Sequence, residues 1–135
     1  VFCYANLDRA DQTTQRLQGY ARHWRNIVAL ADDQVAALVR ADQIDILVDL
    51  SGHIAGNRLQ VFAHKPAPVQ VTYIGYQNTT GMPAMNYRLT DAYSDPPGQT
   101  DRYHTERLER LPATFFCYQP SSYAPPIGPL PVDCT

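Results

Sequence analysis

The stretch DILVDLSGHIAGNRLQVFAHKPAPVQVTYIGYQNTTG, residues 45–81, decides the fold. Ile46, Leu47, Val48 and Leu50 make a short run that is apolar at almost every position, the pattern of a strand covered on both faces in a parallel sheet. Ser51 and Gly52 follow where such a strand must turn. Between Asn57 and His64 the apolar Leu59, Phe62 and Ala63 fall at helical spacing, and Pro66 prevents continuation. Val69, Val71 and Tyr73 then alternate with Gln70 and Thr72, a period-two strand. Its end meets Gly75 and a loop holding Thr79, Thr80 and Gly81. A β-α-β unit sets both strand ends and both glycine turns on one edge of the sheet, where open α/β sheets bind ligands.

Upstream, residues 1–4 read as a strand, and Leu17, Tyr20, Ala21 and Trp24 follow the spacing of a buried helix face over residues 11–25. Residues 26–30 fit either a short strand or an extended link. Residues 31–41 carry the clearest helical stripe, Val35, Leu38 and Val39, with Asp32 and Asp33 at the start and Arg40 at the end to suit the helix dipole. Downstream, residues 82–85 fit a single helical turn, residues 87–90 a strand, residues 94–98 a turn and residues 100–106 a short polar helix. A strand around Leu108 and Leu111 and an extended run over residues 114–118 complete the pattern. Strands alternating with helices predict an α/β fold with a mainly parallel sheet and right-handed crossovers. Residues 1–119 are expected to form one partial lobe. Residues 120–135, with Pro120, Pro125, Pro126, Pro129 and Pro131, are expected to be an extended linker. The opening inside a strand and the proline-rich close lead to the expectation of a piece cut from a longer protein.

A length of 135 residues suits one core. A net charge of −2 argues against a nucleic-acid surface built on bulk charge. No apolar run approaches the roughly 20 residues of a membrane helix. Cys3, Cys117 and Cys134 show no C-x-x-C spacing, so free thiols in a reducing, cytoplasmic setting are expected, buried at Cys3 and Cys117, and a metal site is not.

His53 stands just past a strand's carboxyl end, either facing a ligand cleft or as a loop histidine without a role. His23, His64 and His104 are read as structural or exposed. Gly75 allows close backbone approach to a ligand, and the hydroxyls and N–H groups of residues 76–81 suit an anion or sugar hydroxyls. The pattern is neither G-x-G-x-x-G nor a P-loop, so no dinucleotide or triphosphate site follows. Arg58, unfavourable beside a helix N-terminus, is expected to pair with a carboxylate such as Asp49, or else to reach a ligand. Asp45, Asp49 and Asp91 flank strands and are read as structural.

The segments DLSGH (49–53), GNR (56–58), KPAPVQV (65–71), IGY (74–76), TTG (79–81), YRLTD (87–91), ERLERLP (106–112) and FFCYQP (115–120), with the opening VFCYAN, resemble the catalytic region of the O-linked N-acetylglucosamine transferases and SPINDLY-type proteins, glycosyltransferase family 41. The resemblance covers nearly the whole chain. It implies part of the first of two Rossmann-like lobes of a GT-B fold, in a parent whose helical repeats present a protein acceptor. The resemblance places this chain after the family's histidine-proline segment and before the lobe that carries most uridine-diphosphate contacts. The implied reaction is transfer of N-acetylglucosamine from its UDP ester to protein Ser or Thr, with the UDP-sugar as substrate and no cofactor. No catalytic residue is assigned in this chain. Ile74, Gly75 and Tyr76 match the family's Leu-Gly-Tyr step, whose first two residues lie near the donor sugar. Gln77 and Asn78 stand where the family has Pro-Gly. Arg58 matches a basic position, and His53 a position that is Tyr or His among relatives. With these, Thr79 and Thr80 are the expected substrate-binding residues. The alternatives are a non-catalytic Rossmann-like protein-binding module and a flavodoxin-like small-ligand binder.

Overall fold

The computed structural model describes residues 1–121, 123–126 and 128. The elements are β1 (Phe2–Ala5), α1 (Gln12–Gln18), β2 (His23–Asn26), α2 (Asp32–Ala41), β3 (Ile46–Asp49), α3 (Leu59–Ala63), β4 (Val69–Thr72), β5 (Tyr87–Asp91), a 3-10 turn (Asp101–Tyr103) and β6 (Arg107–Leu111). All strand pairs are parallel. They form two sheets, one ordered β1-β2 and one ordered β3-β4-β5-β6. This is the expected α/β, Rossmann-like lobe.

Local chemistry explains the helix limits. Asp11 caps α1 by accepting the Thr14 N–H at 2.7 Å. The Gln34 side chain reaches back to the Ala31 N–H at 3.0 Å before α2. The core joins Val35, Ala36 and Val39 of α2 to Leu59 and Phe62 of α3 and to Leu47 of β3. Both helices therefore cover the sheet face that Leu47 presents.

Three sequence expectations are corrected. The helix foreseen to residue 25 stops at Gln18, before Gly19, and His23–Asn26 is a strand paired with β1. Tyr20, read as part of a buried stripe, is 78% exposed. Asn26 ends β2, and residues 27–30 are a link. The run at β3 is not covered on both faces: Leu47 is buried, but Ile46, Val48 and Leu50 are 58%, 44% and 58% exposed. In β4 the polar residues face inward, because a strand with neighbours on both sides can satisfy them. The Gln70 amide donates to the Phe62 and Ala84 carbonyls at 3.0 and 2.9 Å, and the Thr72 hydroxyl donates to Asp49 at 2.8 Å.

Residues 114–118 form no strand. Phe115 is nonetheless buried: its N–H donates to Asp91 at 2.8 Å and its carbonyl accepts the Tyr73 hydroxyl at 2.6 Å. The expected linker beyond Pro120 falls partly outside the described residues, and its described part holds neither helix nor strand. Cys134 also lies outside them, while Cys3 and Cys117 are free thiols that are not buried as expected: Cys3 is half-buried and Cys117 exposed.

Candidate functional site

The carboxyl ends of β3 and β4 meet in two interlocked glycine turns. Asp49, the last residue of β3, accepts the Ser51 and Gly52 N–H groups at 3.0 and 2.9 Å and so bends the chain sharply. Gly52 has φ +55°, and a Cβ there would lie 2.3 Å from the Tyr76 Cβ. A Cβ on Gly75 would lie 2.1 Å from the Leu50 carbonyl oxygen and 2.8 Å from the Ser51 Cα. Each turn thus requires glycine because the other turn occupies the space. The close approach foreseen at Gly75 is to the β3 backbone.

Between them stands Ile74, a β-branched residue at φ +60°. The Gly75 N–H donates to the Tyr73 carbonyl at 2.8 Å, which closes a three-residue γ-turn centred on Ile74. A β-branched side chain in left-handed space stores roughly 1–3 kcal/mol, held by the surrounding bonds. Strain of this kind gathers at binding sites.

His53 and Tyr76 pack edge to face, with ring centroids 5.3 Å apart at 80°. The His53 Nε2 lies 2.9 Å from the Thr80 carbonyl. A carbonyl only accepts, so Nε2 is the donor in this contact. His53 therefore ties the β3 turn to the loop after β4.

That loop is anchored from the residue just before β6. Glu106 is buried, and its carboxylate accepts the Thr80 N–H at 2.7 Å, the Thr79 hydroxyl at 2.7 Å and the Thr80 hydroxyl. Burial alone would raise its pKa, but these donors outweigh it and hold the carboxyl below its ordinary range. The Thr79 oxygen also accepts the Gly81 N–H at 3.0 Å. Both threonine hydroxyls are thus engaged within the protein. Arg88 of β5, 2% exposed, completes the anchor: it donates to the Tyr76 and Asn78 carbonyls at 2.8 and 3.2 Å and faces Asp95 at 3.7 Å. Glu106 and Arg88 escaped sequence reading. No spacing in the sequence singles them out, since β5 and β6 carry several polar and charged residues.

Arg58 takes a different partner from the one expected. It pairs with Asp32 at 2.8 Å, not with Asp49, whose oxygens hold the turn. It also donates to the Ile27 and Leu30 carbonyls at 2.7 and 2.8 Å and to Asn6 at 3.2 Å. Four of its five N–H groups are so used. The structure brings His53, Ile74, Gly75, Tyr76, Thr79 and Thr80 into one bonded cluster and turns Arg58 toward the start of α2.

The geometry defines a parallel α/β lobe with two interlocked glycine turns at the strand carboxyl ends. Residues 1–123 match the family model described as "Glycosyl transferase family 41", and the chain belongs to that family. It is 47% identical over 135 residues to a rice (Oryza sativa subsp. japonica) protein named "Probable UDP-N-acetylglucosamine--peptide N-acetylglucosaminyltransferase SPINDLY", covering 97% of this chain and 14% of that protein. It is 33% identical to a Caenorhabditis elegans protein named "UDP-N-acetylglucosamine--peptide N-acetylglucosaminyltransferase", covering 86% of this chain and 10% of that one. A solved Thermobaculum terrenum O-GlcNAc transferase mutant, K341M, superposes with a TM-score of 0.82 at 48% identity, over 84% of this chain and 22% of that one. The chain spans about one seventh of the length of the curated relatives it matches.

Proposed function

We propose that this chain is the later part of the first catalytic lobe of a protein O-glycosyltransferase that moves N-acetylglucosamine from its UDP ester to Ser or Thr hydroxyls. The observation that carries the reading is the strained, glycine-locked cluster at the β3 and β4 carboxyl ends, in a chain whose family match runs from residue 1 to 123. In the reaction the acceptor oxygen forms a bond to the anomeric carbon. The bond from that carbon to the β-phosphate oxygen breaks, and UDP leaves with the electron pair. The hydroxyl proton passes to a base or solvent, and no residue of this chain is assigned that role. Leaving-group charge needs fixed donors and cations, which this reading assigns to the rest of the polypeptide. Ile74 and Gly75 shape the donor-sugar side of the cleft that the two lobes of such an enzyme enclose. Tyr76 and His53 form its rim, and Thr79 and Thr80 hold the loop's shape through Glu106. Arg58 acts at a distance by fixing the start of α2.

The partners in this reading are a UDP-sugar, a protein acceptor and the remainder of the same polypeptide. Residues 120–135 would link to it. Among the described residues no helix is long and apolar enough to cross a membrane. A cytoplasmic setting accords with cysteines that lack short spacings. The test is turnover by the longer natural polypeptide, with radiolabelled UDP-N-acetylglucosamine and GDP-fucose offered in parallel. Transfer of N-acetylglucosamine to protein is expected, and a tenfold rise in KM with little change in kcat for Ile74→Ala. Transfer of fucose alone would overturn the donor. No transfer of either would favour the binding-module reading.

A further inference from the structure

Arg88 and Thr90 stand two apart on β5, so their side chains share one face of the sheet, and both are buried. The connection from β5 to β6 holds a 3-10 turn in place of a crossover helix, and it brings Asp95, Thr100 and His104 to these two residues. The Thr90 hydroxyl donates to one Asp95 carboxylate oxygen, and Arg110 Nε donates to the Asp95 carbonyl at 2.6 Å. The His104 Nδ1 donates to the Thr100 carbonyl at 3.1 Å, which leaves Nε2 on the side of the Asp95 carboxylate. The side chains of Arg88, Asp95 and His104 are 2%, 7% and 5% exposed, yet their polar atoms do not meet. Arg88 Nη2 stops 3.7 Å from Asp95 Oδ2, and His104 Nε2 stops 3.8 Å from Asp95 Oδ1, both beyond hydrogen-bond reach. Among the described residues Arg88 Nε, Thr100 Oγ1 and His104 Nε2 are buried without a hydrogen-bond partner. Buried polar atoms in native proteins are nearly always satisfied, by protein or by ordered water.

We propose that these atoms bind an internal water, and that Asp95 and His104, through it, are positioning residues for the loop of residues 76–80. The donor and acceptor count selects the occupant. Arg88 Nε–H and the Thr100 hydroxyl donate, while the Asp95 carboxylate and Nε2 of a neutral His104 accept. A water accepts two bonds and donates two, so one molecule satisfies all four. Charge selects it as well: the Arg88 guanidinium disfavours a cation among these groups, and the Asp95 carboxylate disfavours an anion. Both gaps share the Asp95 carboxylate. Each is narrow enough for a water about 2.8 Å from either end to bridge it from the side. The cluster stands behind the candidate site. The other end of the Arg88 guanidinium, Nη1, donates to the Tyr76 and Asn78 carbonyls. His104 lies two residues before Glu106, whose carboxylate holds Thr79 and Thr80. Both anchors of the loop therefore lead back to the same hydrated cluster. A bond from Nε fixes the plane of the Arg88 guanidinium, and a bond to His104 fixes the backbone that delivers Glu106.

The experiment uses the longer natural polypeptide. A crystal structure at a resolution that shows ordered water is expected to place one water within about 3.2 Å of Arg88 Nε, Thr100 Oγ1, His104 Nε2 and the Asp95 carboxylate. Direct Arg88–Asp95 and His104–Asp95 contacts with no water between them would overturn the inference, as would an ion at that position. Residue-resolved amide exchange in two variants reads the positioning role. His104→Leu fills the space but removes both ring nitrogens. The Thr80 amide, which is bonded to Glu106, is then expected to exchange about tenfold faster, while the Val35 and Val39 amides of α2 stay within about twofold of the parent. His104→Gln, whose side-chain amide reaches the Nε2 position, is expected to bring Thr80 back to within about twofold. Equal loss of protection in α2, or no recovery in His104→Gln, would reduce His104 to a packing residue and refute its positioning role. No readout depends on sugar transfer, so this inference and the proposed activity fail separately.

Discussion

Gly75→Ala tests the interlock of the two turns directly. The added methyl would sit 2.1 Å from the Leu50 oxygen, 2.6 Å from its carbonyl carbon and 2.8 Å from the Ser51 Cα. All three are backbone atoms, so no side chain can swing aside. Relief requires the β3 turn to move by about 1 Å, which strains the Asp49 bonds to Ser51 and Gly52. Overpacking of this kind costs about 1–3 kcal/mol, and losing one of those charge-assisted bonds adds about 1–2 kcal/mol. A loss near 3 kcal/mol is expected, a large share of the roughly 5–15 kcal/mol that holds a domain together. Gly81→Ala is the control. Gly81 has φ +69° with nothing within 4 Å of a new Cβ, so it carries only the left-handed penalty of about 1–2 kcal/mol. Urea unfolding of the longer polypeptide, followed by exchange of the Gly52 amide, reads both variants. Should Gly75→Ala prove no worse than Gly81→Ala, the two turns are not in fixed contact and the reasoning fails.

Other outcomes follow from the same bonds. Glu106→Ala leaves the buried Thr80 N–H unpartnered and is expected to lower stability by about 1–3 kcal/mol, with faster exchange of the Thr80 amide as its signature. Arg88→Met strands Asp95 in the interior and is expected to cost about 3–5 kcal/mol; unchanged urea midpoints would contradict the anchoring role. Asp91, whose carboxylate accepts N–H groups of Ser94, Phe115 and Tyr93, is held down to about 2 from an ordinary 3.8. Its contribution is therefore complete above pH 3.8 and is lost as pH falls from there toward 2, with Glu106 losing its own in the same direction below 4.5. Acid titration of unfolding in Asp91→Asn should show a shallower slope over that window. The 135-residue chain alone exposes Ile46, Val48 and Leu50 and is expected to associate with rising concentration, which analytical ultracentrifugation would detect.

The order of strands and helices was legible because the periods of two and 3.6 are local. Val69, Val71 and Tyr73 needed no distant partner to be read, and neither did the α2 stripe. The failures came where distance in space departs from distance in sequence. Asp49 lies nearer Arg58 along the chain, but Asp32, 26 positions back, takes the ion pair because the α2 start folds onto it. Leu17, Tyr20, Ala21 and Trp24 imitate a helical face, yet Gly19 ends the helix and Trp24 joins β2. An apolar run such as residues 46–48 signals two covered faces, but among the described residues only the Leu47 face is covered. At the candidate site the glycine turns were visible in the sequence. Glu106 and Arg88 were not, because their partners come from loops that no spacing rule connects.

The all-parallel pairing also shapes how the chain acquires its structure. Phe2 pairs with His23, Ile46 with Val69, Val71 with Tyr87 and Tyr87 with Arg107, so paired residues lie 16 to 23 positions apart. Among the described residues no hairpin is available as a local nucleus, and each pairing waits for its crossover to form. On the ribosome, β3 emerges as bare apolar strand and stays unmatched until Thr72 has left the exit tunnel. Each strand edge therefore stays open until its crossover is complete, and β3 is the one whose apolar side chains are exposed in that interval.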